Sequence, residues 1–423
     1  MTLPTREPEE GRVDTGAPAR YAAELFAGLR RWGARTALRA GDRRVTFDQL
    51  LEESYRIARA LDGTGLGRRD GVVALTANPP ELVSLRLAAH LLGCRFTALN
   101  VTTPGDVVTC RQVLAEARPA VFVVDRRGAA ALPEPVPGML TLGAGPAGCD
   151  LLALAGTESG AAMEPRAREQ DVALLVYSRG TTGRRRGAVH RFSGMNVTWR
   201  RPQEGELGDF AEGVTSLVAG PLADNAGEVA LMLLRAGCTM MLMDDFDPAR
   251  VLAAVESERI ASVYLLSGQL ERLVAHEDLT RTDVSSLRYL PYGNAPISPD
   301  SLRRAVDAFG PVLSQNYVSS EIRAITLLRQ EDHLAAADGR PELLASVGQG
   351  LPDVGIRICG PDGRGLRAGE VGEVRIRAPH MMSGYWRDAG ATSRAVCRGW
   401  LRSGDLGRLD REGYLYLCGR APG

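Results

Sequence analysis

The feature that most restricts the fold is an alternation. Strand-length apolar runs are separated by helix-length amphipathic stretches along most of the chain. "VVALTA" (72–77) is followed by "PELVSLRLAAHLLG" (80–93) and then "AVFVVD" (120–125). "DVALLVYS", "TSLVAG", "TMMLMD", "ASVYLLS", "LRYLPY" and "VLSQNYV" continue the series, with helical stretches such as "PARVLAAVESER" and "SPDSLRRAVDAF" between them. Strands that alternate with helices must run parallel, because each crossover helix returns the chain to the same edge of a sheet. The expected class is therefore α/β, with two doubly wound, mostly parallel subdomains.

Local signals sharpen the boundaries. Thr46 and Gln49 form a capping-box pattern at the start of "FDQLLEESYRIARAL", and Gly93 is placed to end the helix before it. Residues 1–18 are a Pro/Glu-rich lead-in expected to be disordered. The first α/β subdomain is assigned to 19–170, its last part (128–170) being Gly/Pro/Ala-rich and linker-like. The second spans 171–345. From 346 to 423 the texture changes to short strands such as "VGIRICG", "GEVRIRAP" and "GYLYLCGR", which predicts a smaller β-rich subdomain, a distorted barrel.

Composition excludes several chemistries. Of 423 residues 51 are basic, every one an arginine, so no step carried by this chain can use a lysine amine. Formal net charge is zero, which suggests neither a nucleic-acid nor a membrane partner. The seven cysteines (94, 110, 149, 238, 359, 397 and 418) contain no C-x-x-C pair, arguing against a disulfide framework or zinc site and for a reducing, cytoplasmic setting. The N-terminus lacks signal-peptide character, and no apolar run reaches the roughly 20 residues of a membrane span. There is no G-x-S-x-G elbow, and histidines such as His190 and His276 are scattered.

The chemistry concentrates in "VYSRGTTGRRRGAVHRF" (176–192), a strand emptying into a loop of Gly, Thr and Arg. Gly180, Gly183 and Gly187 let backbone N–H groups turn toward an anion; Ser178, Thr181 and Thr182 add hydroxyl donors, and Arg184, Arg185 and Arg186 add charge. A solvated basic loop is the plain alternative. It is not a Walker P-loop, which requires lysine. "GAGPAG" (143–148) formally matches a dinucleotide fingerprint with Glu164 near the acidic spacing. However, Pro146 interrupts it and no second strand leads to that acid, so a nicotinamide-dependent oxidoreductase ranks last.

These residues resemble the phosphate-binding signature of the adenylate-forming superfamily, which includes acyl-CoA synthetases, aryl-acid ligases and peptide-synthetase adenylation domains. "YGNAPIS" (292–298) is similar to that family's adenine segment, and "QNYVSSE" (315–321) to its Y-G-x-T-E segment. "GEVRIRAPHMMSGYWRDAGATSRAV" and "GWLRSGDLGRLDREGYLYLCGR" resemble the segments that follow, in the same order. The resemblance implies ATP-dependent activation of a carboxylic acid as an acyl-adenylate, with release of pyrophosphate and transfer to a thiol, an amine or another nucleophile. Residue by residue it places Ser178, Gly180, Thr181, Thr182, Gly183 and Arg186 on the phosphates, with Thr181 among the catalytic groups. Gly293, Asn294, Ala295, Pro296 and Asn316 would flank adenine, and Tyr317 would stack on it. Ser320 would donate to the α-phosphate, Glu321 would hold Mg2+, Asp405 would accept the ribose hydroxyls and Arg420 would lie beside the ribose. Asp224, Asn225, Gly293, Gln315 and Val318 would line the acid pocket.

Departures carry information too. Arg179, Arg185 and Arg186 replace the family's Ser, Pro and Lys, Val318 replaces a glycine, and Phe192 stands where many members have histidine. Asp224 is either a polar contact for the acid or the N-cap of the helix "GEVALMLLRAG". Val318 and the Asp224–Asn225 pair point to a short, flat acid, an aryl or arylacrylic one carrying an amino or hydroxyl group. The family's chain continues into a small lysine-bearing C-terminal domain, whereas "GRAPG" ends here at Gly423; either a cut at the hinge or a naturally short chain is implied. Expected partners are a small carboxylic acid and CoA or a carrier protein. The alternatives are a non-catalytic nucleotide-binding relative and a ligase with an unusual acceptor such as nitrite.

Overall fold

The computed structural model describes residues 16–100, 104–145, 148–177, 185–195, 213–223 and 225–421. By its internal contacts the chain divides into two compact units, one ending at Asp245 and the other starting at Phe246.

The first unit carries strands β1 (Thr36–Ala40), β2 (Arg43–Thr46), β3 (Gly71–Thr76), β4 (Arg95–Asn100), β5 (Val121–Val124), β6 (Leu140–Thr141), β7 (Cys149–Asp150), β8 (Val172–Tyr177), β9 (Gly187–Arg191), β10 (Thr215–Val218) and β11 (Thr239–Leu242). Seven of them form one sheet in the order β7-β6-β5-β3-β4-β8-β9, in which only β9 runs antiparallel to its neighbour. The other four pair as β10-β11-β1-β2, parallel except for the β1–β2 hairpin. The Gly/Pro/Ala-rich stretch 128–170 is more than a linker. It contributes β6, β7 and the helix Leu151–Gly156, because Asp150 caps that helix by accepting from Leu152 N–H at 2.9 Å. β8 then pairs with β4, so the first sheet continues past residue 170.

The helix Pro80–Leu92 packs against β1 of one sheet and β3 and β4 of the other, and all thirteen of its residues are buried. The expected glycine cap holds: Gly93 has φ +73° and returns its N–H to Ala89 and His90 carbonyls. Its polar side chains are matched from outside the helix. Glu81 meets Arg43, Ser84 donates to Glu53, and Arg86 pairs with Glu228. His90 differs. Its ring is enclosed by Tyr21 (5.6 Å between centroids) and Phe192 (5.4 Å), and neither ring nitrogen has a hydrogen-bond partner among the described residues. Burial, reinforced by the Arg86 charge, pushes His90 down from 6.5 to about 3.

The second unit holds a parallel run β12 (Ser262–Leu266), β13 (Leu290–Gly293) and β14 (Leu313–Ser319), extended antiparallel by β15 (Arg323–Leu328) and β16 (Gln349–Gly350). A separate antiparallel sheet follows: β17 (Gly355–Cys359), β18 (Gly372–Arg377), β19 (Val396–Cys397), β20 (Trp400–Leu409) and β21 (Leu415–Arg420). Its inner face alternates, with Val374 and Ile376 buried between more exposed Glu373, Arg375 and Arg377. Backbone bonds stitch the two sheets together: Val347 N–H to Leu415 O at 2.8 Å and Leu415 N–H to Gly348 O at 2.9 Å. The α/β class with a smaller β-rich part is what the structure has. Among the described residues, no helix is long and apolar enough to cross a membrane.

The His90 environment makes a pH prediction. Between pH 6.5 and about 3 the unfolded chain binds a proton that folded His90 refuses, so stability falls as pH falls below 6.5. From pH 7 to pH 5 this residue should cost about 2 kcal/mol. Melting midpoints at the two pH values should therefore converge in His90→Leu relative to the wild type; parallel shifts in both proteins would assign the acid sensitivity elsewhere.

Candidate active site

The predicted residues cluster at strand ends. In the second unit β13 ends on Gly293 and β14 carries Gln315, Asn316, Tyr317 and Val318, with Tyr292 beside Gln315 and Gly293 beside Asn316. A Cβ on Gly293 would stand 2.4 Å from the Asn316 carbonyl oxygen, so only glycine lets the strands approach this closely. Asn294 follows with φ +69°, and Asn294, Ala295 and Pro296 are exposed. The turn is held from beneath by buried Ser267, whose hydroxyl lies 3.1 Å from the Gly293 carbonyl and 2.6 Å from that of Ala295.

Tyr317 reaches across to the antiparallel sheet, where its hydroxyl donates to Asp405 Oδ2. The other carboxylate oxygen accepts from Arg420 at 2.6 Å, the two residues being register partners on β20 and β21. The Ser403 hydroxyl accepts Asp405 N–H at 3.0 Å. Burial first, then the Asp405 charge, pushes the Tyr317 phenol up, so it remains a protonated donor. One carboxylate is thus fixed by a neutral donor and a cation.

Ser320 and Glu321 sit at the tip of the β14–β15 hairpin. The tip is tied by Ile322 N–H donating to the Ser319 hydroxyl at 3.1 Å, and buried Ile322 anchors it to the core. Glu321 Oε1 accepts from the Tyr385 hydroxyl at 2.8 Å, and its backbone carbonyl accepts from Met382 N–H at 2.7 Å. Gln315 is buried, and its amide meets the Tyr292 hydroxyl at 3.2 Å; that hydroxyl also lies 3.0 Å from His333 Nε2. Val318 is half-buried beside the bulge that separates it from Tyr317.

In the first unit, Tyr177 and Gly187 are register partners on β8 and β9, and a Cβ on Gly187 would come within 2.9 Å of the Tyr177 ring. Arg186 leads directly into β9 and is half-buried. Ser178, Gly180, Thr181, Thr182 and Gly183 fall in the segment 178–184, and Asp224 is a single position; all lie outside the described residues. Asn225 is the first residue of the helix Asn225–Arg235, whose Glu228 pairs with Arg86. The structure therefore brings Tyr317, Asp405 and Arg420 together and gives Glu321 a hydroxyl donor. Sequence reasoning missed Ser267, Tyr385 and Ser403. Tyr385 and Ser403 were quoted within motifs, and their roles emerge only from folding.

The family model described as AMP-binding enzyme matches residues 25–386, and the chain belongs to that family as an adenylate-forming ligase using ATP. Indoleacetate–CoA ligase of Aromatoleum aromaticum is 32% identical over 397 residues, 91% of this chain and 75% of that protein. Feruloyl-CoA synthase of Amycolatopsis is 32% identical over 390 residues, covering 91% and 75% of the two chains. Among solved structures, the amide bond synthetase McbA from Marinactinospora thermotolerans superposes with TM-score 0.84 at 33% identity, covering 95% of this chain and 79% of that one. ATP-bound MatB from Rhodopseudomonas palustris gives TM-score 0.81 at 25% identity, with 95% and 79% covered.

The Gly293 contact is directly testable. Gly293→Ala must push the two strands apart or shift the turn, at a cost of about 1–3 kcal/mol. A lowered melting temperature is the expected reading; an unchanged one would mean that the strand ends absorb a methyl group freely.

Proposed function

We propose that this protein activates an aryl or arylacrylic acid as its acyl-adenylate and passes the acyl group to a thiol or amine. The observation that carries the proposal is the Asp405 carboxylate held between Tyr317 and Arg420. A ribose presents two adjacent hydroxyls and needs a fixed pair of acceptor oxygens. Asp405 offers that pair, and the Tyr317 ring beside it offers a flat face for adenine. The acid oxygen attacks the α-phosphorus, the bond to the bridging oxygen breaks, and pyrophosphate leaves with the charge. Negative charge grows on the phosphate oxygens, where Ser320 would donate a hydrogen bond.

The donor set at the hairpin tip fits Mg2+. Glu321 is a single hard carboxylate, and among the described residues no three His, Cys, Asp or Glu side chains are grouped as a metal cage. Mg2+ is ordinarily held by one or two carboxylates together with phosphate oxygens and water. Bound there, it would offset charge on the phosphates.

Gln315 and Val318 are proposed to line the acid pocket. Support for a flat aromatic acid comes from the indoleacetate and feruloyl ligases among the relatives. Support for an amine acceptor comes from the amide bond synthetase, and for a thiol from the CoA ligases.

The test is stabilisation by non-hydrolysable acyl-adenylate analogues bearing benzoyl, cinnamoyl, indoleacetyl or long alkyl groups. A ligand at 100 times its Kd should raise stability by about 2.7 kcal/mol. Aromatic analogues are expected to shift the melting temperature more than the alkyl one, and the reverse order would overturn the acid class. Asp405→Ala should weaken ATP binding about 10- to 100-fold, as expected for losing hydrogen bonds to a charged acceptor. Tyr317→Phe, which keeps the ring face, should cost less than Asp405→Ala when both are measured by calorimetry.

A further inference from the structure

We propose that Tyr385 is a positioning residue for the Glu321 carboxylate, engaging one oxygen so that the other is turned to a cation. The proposal deepens the reading of Glu321 as the Mg2+ ligand and rests on it.

Glu321 stands at a hairpin tip, where a glutamate side chain has several rotatable bonds and little to hold it. Ordering such a side chain costs conformational entropy. The fold supplies that order from a distant segment. The Tyr385 hydroxyl, 64 residues further along the chain, donates to Oε1 at 2.8 Å. A phenol has one proton, and here it is committed to that oxygen.

Tyr385 is itself fixed by its backbone. Met382 N–H donates to the Glu321 carbonyl at 2.7 Å, and His380 Nε2 lies 2.9 Å from the Ala324 carbonyl, so residues 380–382 run alongside the hairpin. Tyr385 N–H donates to Thr392 Oγ1 at 2.9 Å, and the Thr392 hydroxyl in turn donates to the Asp388 carbonyl at 2.8 Å. Gly384 makes this approach possible. Its φ is +146°, and a Cβ there would stand 2.8 Å from Thr392 Cγ2.

The consequence is selectivity between hard cations. Mg2+ binds at about 2.0–2.1 Å with near-octahedral demands and takes carboxylates through single oxygens, whereas Ca2+ binds at about 2.3–2.6 Å and accepts bidentate carboxylates. The Tyr385 hydroxyl competes with a cation for Oε1 and leaves Oε2 the freer oxygen, which suits Mg2+ and disfavours the bidentate mode of Ca2+. Hydrogen-bond donors behind a metal ligand typically change metal affinity by about 10- to 100-fold when removed.

The experiment measures binding of a fluorescent ATP analogue to the full chain while Mg2+ or Ca2+ is titrated. It compares the wild type, Tyr385→Phe and Glu321→Gln. Tyr385→Phe keeps the ring and removes only the hydroxyl. It is expected to raise the Mg2+ concentration for half-maximal binding about 10-fold and to narrow the preference for Mg2+ over Ca2+. A purely structural role would weaken both cations alike and would leave that preference where it was, overturning the proposal. If Glu321→Gln raises the Mg2+ requirement and Tyr385→Phe does not, Tyr385 is excluded while Glu321 stands. If Glu321→Gln has no effect, the reading of Glu321 falls, and this proposal with it. Should Tyr385→Phe melt below the wild type, Thr392→Val loosens the Tyr385 backbone without touching its ring. It is then expected to shift the Mg2+ requirement in the same direction by a smaller factor; no shift would overturn the proposal.

Discussion

The hydrogen bond from Tyr317 to Asp405 is the interaction on which the second unit's site depends. It crosses from the end of the parallel run to the antiparallel sheet, between residues 88 positions apart. A largely buried carboxylate without donors would be costly, and Tyr317 and Arg420 together remove that cost. Everything near it is arranged to keep those two donors in place. Gly293 allows β13 and β14 to close up, Ser403 accepts the Asp405 N–H, and the β20–β21 register sets Arg420 opposite Asp405.

The first unit solves a different problem, how to bury a helix on all sides. The helix Pro80–Leu92 carries four polar side chains into that interior, and three of them find partners on other elements. The Arg86–Glu228 pair also reaches the helix that begins at Asn225. Removing either partner alone would leave a buried charge unmatched, which is strongly destabilising. In a chain whose basic residues are all arginine, such pairs are formed by a planar guanidinium able to make several directed bonds.

Much of this was legible beforehand. The capping box at Thr46 and Gln49, the Gly93 cap and the strands from "DVALLVYS" to "GYLYLCGR" follow from local periodicity and turn chemistry, which the structure keeps. The stretch 128–170 was not legible as structure. Its strands are two residues long, too short to show a period, and they exist only because β5 offers an edge to pair with. Tyr385 and Ser267 carried no local signal either. One is a tyrosine inside a recognisable motif and the other a serine after a strand. Their partners, Glu321 and the Gly293–Ala295 turn, are distant in sequence.

The amino-acid sequence by itself determined the element types, the α/β class and the ordered motifs that mark an adenylate-forming enzyme. These are properties of short windows, where apolar spacing, glycine and capping residues act within one or two turns or a single strand. Only the tertiary structure decided which atoms of those motifs meet. It set the Asp405 carboxylate between Tyr317 and Arg420, turned the Tyr385 hydroxyl onto Glu321, and enclosed His90 without a partner among the described residues. Those outcomes depend on sheet register and on chain segments tens of residues apart, and side-chain geometry at that range is set by packing.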